Sequence, residues 1–104
     1  MRLIEDYRNR TIRLTDERLT HILGHPELAN SHTSIDETLA TPDRVVRSTS
    51  DPDVHLYYRW YMATKVGDKY LCVVVKQLEE DAFVVTSYVT DSIKRGDELW
   101  ARRT

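Results

Sequence analysis

The sequence holds a single cysteine, Cys72, so it can form neither an internal disulfide nor a multi-cysteine zinc site. Long hydrophobic runs are missing as well. The longest apolar stretch, Leu71 to Val75, is far too short to cross a bilayer. The first residues, Met1-Arg2-Leu3-Ile4-Glu5-Asp6, lack the apolar segment and small-residue cleavage site of a signal peptide. These absences predict a cytoplasmic protein with no membrane contact. Positive charge is not in excess either: 15 Lys and Arg stand against 17 Asp and Glu, a net of −2. Proteins that hold nucleic acid through its phosphates usually carry a positive excess, so any such role must rest on a local patch.

What is present is enough for one domain spanning 1–104, with a hydrophobic share of 40% and a charged share of 31%. Residues 1–10 read as a polar arm anchored by Ile4 and Tyr7, leading into a short strand around Arg10 to Leu14. Thr15 reads as a helix N-cap, followed by Asp16 and Glu17 where the helix dipole favours negative charge. Leu14 and Leu19 have the spacing of a hydrophobic staple, and Leu19, Ile22 and Leu23 form the apolar stripe. Gly24 and Pro26 end this helix. Ser34-Ile35-Asp36-Glu37 has the form of a capping box for a second short helix ending near Ala40.

The period then changes from helical to two. Val45-Val46 opens a strand. Val54, Leu56, Tyr58, Trp60 and Met62 alternate with His55, Tyr57, Arg59 and Tyr61. Turns at Val66-Gly67-Asp68 and Glu79-Glu80-Asp81 separate strands over Tyr70 to Lys76 and Ala82 to Thr90. Connections this short predict antiparallel hairpins. Leu71 to Val75 is apolar on both faces, which predicts a central strand covered on both sides by the helices and by the C-terminal segment or a partner chain. The segment after Asp91, with Ile93, Leu99 and Trp100, is expected to fold back on the sheet.

Two clusters could carry chemistry. Glu17, His21 and His25 recur every four residues on the first helix. Histidines there could serve as general base and acid, the set could hold a divalent metal, or the three could be a solvated face. The helical wheel turns His21 away from the apolar stripe, whereas His25 lies near the helix C-terminus. On the sheet, Arg59 shares a polar face with His55, Tyr57 and Tyr61, Lys76 ends the next strand, and Ser87 and Tyr88 lie in the last. Arg and Lys can hold a phosphate, and tyrosines can stack bases. A tyrosine-rich solvent face with cross-strand pairs accounts for the same residues. Cys72 reads as a small core residue.

Several of these segments, taken in order, resemble a known family. Leu14-Thr15-Asp16-Glu17-Arg18 followed by His21-Ile22-Leu23-Gly24-His25-Pro26-Glu27 looks like the helix signature of the phage-Barnase–EndoU–colicin–RelE-like (BECR-type) nucleases. Pro42-Asp43, Tyr57-Tyr58-Arg59, Lys69 to Lys76, Ala82 to Tyr88, and Leu99-Trp100 continue the likeness over residues 11–100. The resemblance implies an α+β fold with N-terminal short helices packed on a four- to five-stranded antiparallel sheet. It also implies a metal-independent endoribonuclease without cofactor, acting as a toxin, a phage-defence effector or a processing enzyme. On that basis His21 and His25 are the acid–base candidates, Arg59 and Lys76 stabilise the charged phosphate, and Ser87 or Tyr88 positions the scissile group. RNA is the implied partner, with an acidic antitoxin-like protein or a second copy of the chain as further partners. The alternative is a non-catalytic module that keeps a nuclease-like fold and binds a protein or small ligand.

Overall fold

In the computed structural model, which describes residues 1–103, the alternation that starts at Val54 becomes three long hairpin-linked strands. In chain order the elements are β1 (Arg2–Glu5), β2 (Thr11–Leu14), α1 (Asp16–Leu23), a 3-10 turn (Pro26–Leu28), α2 (His32–Ala40), β3 (Arg44–Ser48), β4 (Val54–Thr64), β5 (Gly67–Gln77), β6 (Ala82–Thr90) and β7 (Gly96–Ala101). All seven strands join one sheet in the order β1-β2-β6-β5-β4-β3-β7. The β2–β6 pair is parallel, so the sheet is mixed.

This corrects the expected four- to five-stranded antiparallel sheet. Two edge segments account for most of the difference. Residues 2–5, expected as an arm, pair antiparallel with β2 in register from Arg2↔Leu14 to Glu5↔Thr11. Residues 96–101 pair with the free edge of β3. Edge strands are hydrogen-bonded on one side only and need little apolar alternation. In β1 only Ile4 is buried, and the first half of β7 is exposed. The parallel pair arises because the outer edge of β6 is open and β2 carries Ile12 and Leu14 into the core there.

The first helix begins as the sequence predicts: the Thr15 hydroxyl accepts from the Arg18 N–H at 3.1 Å, and Leu14 and Leu19 belong to one apolar cluster. The second helix does not. Its cap is Ser31, which makes no side-chain capping bond, and Ser34 lies inside the first turn. The Ile35 N–H donates to Ser31 O at 2.9 Å and the Ser31 N–H to Leu28 O at 3.0 Å, so the preceding 3-10 turn feeds straight into α2. The capping-box spacing is present but the helix has already started.

The helices cover one face of the sheet. There Ile22, Leu28, Ile35 and Leu39 pack with Tyr57, Leu71, Val73 and Val75. On the other face Val46, Leu56, Tyr58 and Cys72 form a second cluster. Ile93 packs on it, and the Lys94 N–H donates to the Tyr58 hydroxyl at 3.1 Å. The link from β6 to β7 thus crosses this face, which explains why the middle of β5 is apolar on both sides. Burial pushes the Cys72 thiol up to about 11, in keeping with a core residue. No helix among the described residues is long and apolar enough to cross a membrane.

Candidate functional site

Strand alternation decides which candidate side chains can meet. Lys76 pairs with Val54 in an unbroken register that runs to Tyr61↔Lys69. Arg59 lies five positions from Val54, an odd step, so Arg59 and Lys76 project from opposite faces. Lys76 is held by Asp51, with Nζ 2.7 Å from the carboxylate. Tyr88 pairs with Cys72 on the same side as Lys76, and Lys94 Nζ lies 5.6 Å from its ring centre. Ser87 is buried and donates to Cys72 O at 2.8 Å. His21 and His25 do lie together, ring centres 5.7 Å apart, both exposed, His21 on α1 and His25 just past its end. Of the six expected site residues, then, the structure brings together only the two histidines. Glu17, His21 and His25 do not form a metal-ligand set, nor does any other group of His, Cys, Asp and Glu among the described residues.

Arg59 is in a different setting, and a larger site builds around it. Its Nη1 donates to Thr41 O at 2.6 Å and to Thr41 Oγ1 at 3.2 Å, and its Nε lies 3.8 Å from Glu37. These contacts hold it between the end of α2 and the sheet. Asp43, at the entry to β3, then fixes two neighbours. Its carboxylate accepts from the Trp60 N–H at 2.7 Å and from Arg102 Nη1 at 3.2 Å. The result is a cleft of about 510 Å³ lined by Asp43, Arg44, Arg59, Trp60, Ala101 and Arg102. Trp60 is 42% exposed there, large for an indole. A second cleft of about 500 Å³ shares Arg59 and Arg102 and adds Tyr7, Thr41 and Trp100. Tyr7 and Trp100 pack with ring centres 5.3 Å apart.

Tyr7 also lines a smaller pocket of about 190 Å³, with Asp6, Arg8, Arg10, His55, Tyr57 and Gln77. The β1–β2 turn makes this pocket. Asn9 takes φ 65° there, a left-handed conformation that asparagine tolerates better than most residues. The turn closes on buried Asp6, whose carboxylate accepts from the Arg8 and Arg10 N–H groups, each at 2.9 Å. From the sheet the Tyr57 hydroxyl donates to the same carboxylate at 2.7 Å, while Gln77 donates to Tyr57. Asp6 is 5% exposed yet accepts three hydrogen bonds, which offsets the cost of its burial. Burial, with the Asp6 charge beside it, raises the Tyr57 hydroxyl far above the usual phenol range. His55 is lowered, first by burial and then by Arg47 and Arg10, which favours its uncharged form.

Together the three clefts present five arginines (Arg8, Arg10, Arg44, Arg59 and Arg102) against two aspartates, with Tyr7 and Trp100 on the helix-covered face and Trp60, packed on Tyr70, on the other. With Glu37 and Glu98 beside them the five arginines face four carboxylates, a local excess of one positive charge on a chain of net charge −2. Three of these arginines have acidic neighbours: Arg44 with Glu98 at 2.8 Å, Arg59 with Glu37 at 3.8 Å, and Arg102 with Asp43 at 3.2 Å. Such part-exposed pairs contribute about 0–1 kcal/mol, so a phosphate can compete for them. Sequence reading found only Arg59 of this set. Arg8 lies in the segment that reads as a polar arm, Arg10 where that arm reads as entering a strand, and Arg102 beyond residues 11–100. The one available signal was the Asp6-x-Arg8-Asn9-Arg10 pattern, which suits a tight turn between two strands. The chain matches no family model, no curated protein and no solved structure.

Proposed function

We propose that the chain is an RNA-binding, metal-independent endoribonuclease that holds a single strand along the arginine–aromatic tract. The observation that carries this reading is Trp60, exposed in a cleft with Arg44, Arg59 and Arg102. Single-stranded RNA is recognised by stacking unpaired bases on aromatic faces while arginines hold the phosphates. The reaction class comes from the resemblance to BECR-type nucleases: the ribose 2′-oxygen attacks the adjacent phosphate and leaves a cyclic phosphate and a free 5′-hydroxyl. In this reading the protein works in the cytoplasm, and an acidic antitoxin-like partner would neutralise and cover the tract.

A second reading, a binding module without catalysis, draws support from the separation of Arg59 from Lys76 and Tyr88, which project from the other face, and from the burial of Ser87. One experiment tests both. Purified protein is incubated with a short single-stranded RNA in chelator, and binding is measured across a salt series. Engagement of three arginines predicts a log–log salt slope of about −2, from roughly −0.7 per phosphate contact on a single strand. Trp60→Ala should lose about 1–3 kcal/mol of affinity, the usual worth of a base stack. Cleaved RNA supports the nuclease; binding without cleavage supports the module. No binding at low salt would end the nuclease reading and leave a module whose partner is a protein or a small ligand.

A further inference from the structure

The pocket at the β1–β2 turn offers a reacting centre that none of the expected site residues supplies. We propose that the scissile phosphodiester docks in this pocket, with Arg8 and Arg10 clamping the phosphate and His55 taking the proton from the ribose 2′-hydroxyl. This rests on the ribonuclease reading above and adds the catalytic residue to it.

Four observations lead here. First, the pocket gathers two arginines and one imidazole around about 190 Å³, room for a phosphate and the sugar edge beside it; Asp6 also lines it, its carboxylate taken up by three donors, and Arg10 Nη2 already donates to Leu78 O. Second, its geometry is fixed from below. Asp6 is committed to the Tyr57 hydroxyl and to the Arg8 and Arg10 N–H groups, so it organises the turn that carries both guanidinium groups. Third, Tyr7 lines both this pocket and the cleft of Arg59 and Trp100. Tyr7 thus joins the His55 pocket to the Arg59 cleft. Fourth, every charged group around the imidazole is accounted for. Arg47 faces it from β3 in direct register and carries Asp97 of β7 at 3.9 Å; Val75 and Gln77 of β5 are uncharged; Asp6, Arg8 and Arg10 come from the turn. Burial first, and then these cations, favour the uncharged, proton-accepting ring.

The step balances without a redox change. The 2′-oxygen forms a bond to phosphorus as its proton passes to His55. The phosphorus–5′-oxygen bond breaks, and the departing oxygen takes a proton from solvent water. Arg8 and Arg10 offset the charge that builds on the non-bridging oxygens. Tyr57 and Gln77 are positioning residues, acting through Asp6 on the turn.

The test compares the full-length wild type with His55→Gln and Arg8→Ala, both at positions outside the core. Cleavage of a short single-stranded RNA in chelator should fall about 100-fold or more in His55→Gln. Its RNA affinity should fall far less than its cleavage rate, because all five arginines and the three aromatic rings are kept. In a separate arm, inorganic phosphate is titrated while the His55 ring signal is followed by NMR across pH. Phosphate should raise the His55 midpoint in the wild type and raise it less in Arg8→Ala. His55→Gln cleaving at the wild-type rate, or a midpoint that phosphate leaves unmoved, would overturn this assignment while leaving the ribonuclease reading intact. Intact RNA with the wild type would overturn both.

Discussion

Replacing Tyr57 by Phe removes one oxygen from the centre of the fold and leaves the ring in place. The ring is fully buried and packs edge-on against Tyr7 at 5.9 Å, so no cavity forms. What is lost is the hydroxyl that donates to the buried Asp6 carboxylate at 2.7 Å and accepts from Gln77. A hydrogen bond to a charged group contributes about 1.5–3 kcal/mol. Asp6 keeps its two backbone donors, so the loss should be near the middle, about 2 kcal/mol. For a domain of this size 1 kcal/mol moves the melting temperature by roughly 4–8 °C, so Tm should fall by about 8–16 °C. Urea unfolding followed by circular dichroism is the direct assay, with the m value unchanged. Gln77→Ala should cost less than about 1 kcal/mol alone, since its site is half open, and close to nothing once Tyr57 is Phe. A loss below about 0.5 kcal/mol in Tyr57→Phe would refute the idea that this hydroxyl holds the β1–β2 turn to the sheet.

Three further outcomes follow from the structure. Thr15→Ala should destabilise by about 1 kcal/mol because it removes a cap bond, whereas Ser34→Ala should stay within about 0.5 kcal/mol because Ser34 caps nothing; equal losses in urea unfolding would argue that α2 starts at Ser34 after all. Gly96→Ala should free β7, since an added Cβ would sit 2.2 Å from Arg47 O and 2.6 Å from Val46 Cγ1; faster amide exchange at Asp97 to Trp100 than in the wild type would report it, and unchanged protection would count against the close packing. Stability should fall as pH drops below the ordinary histidine value of 6.5, because His55 titrates lower in the folded chain than in the unfolded one. In that window the unfolded state binds more protons, so stability rises with pH, and the His55 contribution is lost as pH falls through its folded value. Urea midpoints measured from pH 7 to about pH 5 should decline less steeply in His55→Gln; identical slopes would remove burial of a neutral His55 from the account.

Sequence alone determined the local features whose cause is local. Thr15 caps α1, because an N-cap needs only a hydroxyl three residues before a free N–H. Alternation from Val54 to Met62 made β4, and the short turns after it made the β4–β5–β6 hairpins. The two-faced apolar run in β5 announced cover on both sides, and the helices and the segment around Ile93 provide it. Only the tertiary structure decided the edges and the site. Arg2–Glu5 and Gly96–Ala101 become strands because neighbours offer them unpaired backbone groups, a property of β2 and β3 rather than of their own side chains. Ser34 shows the same limit in reverse: its capping pattern is intact, but a turn begun upstream overrides it. The clefts bring Arg8 and Arg10 to His55, and Trp60 to Arg102, across dozens of residues of chain. No periodicity records such meetings, since they are fixed by strand order and by the hydrogen bonds of buried Asp6 and of Asp43 at the surface.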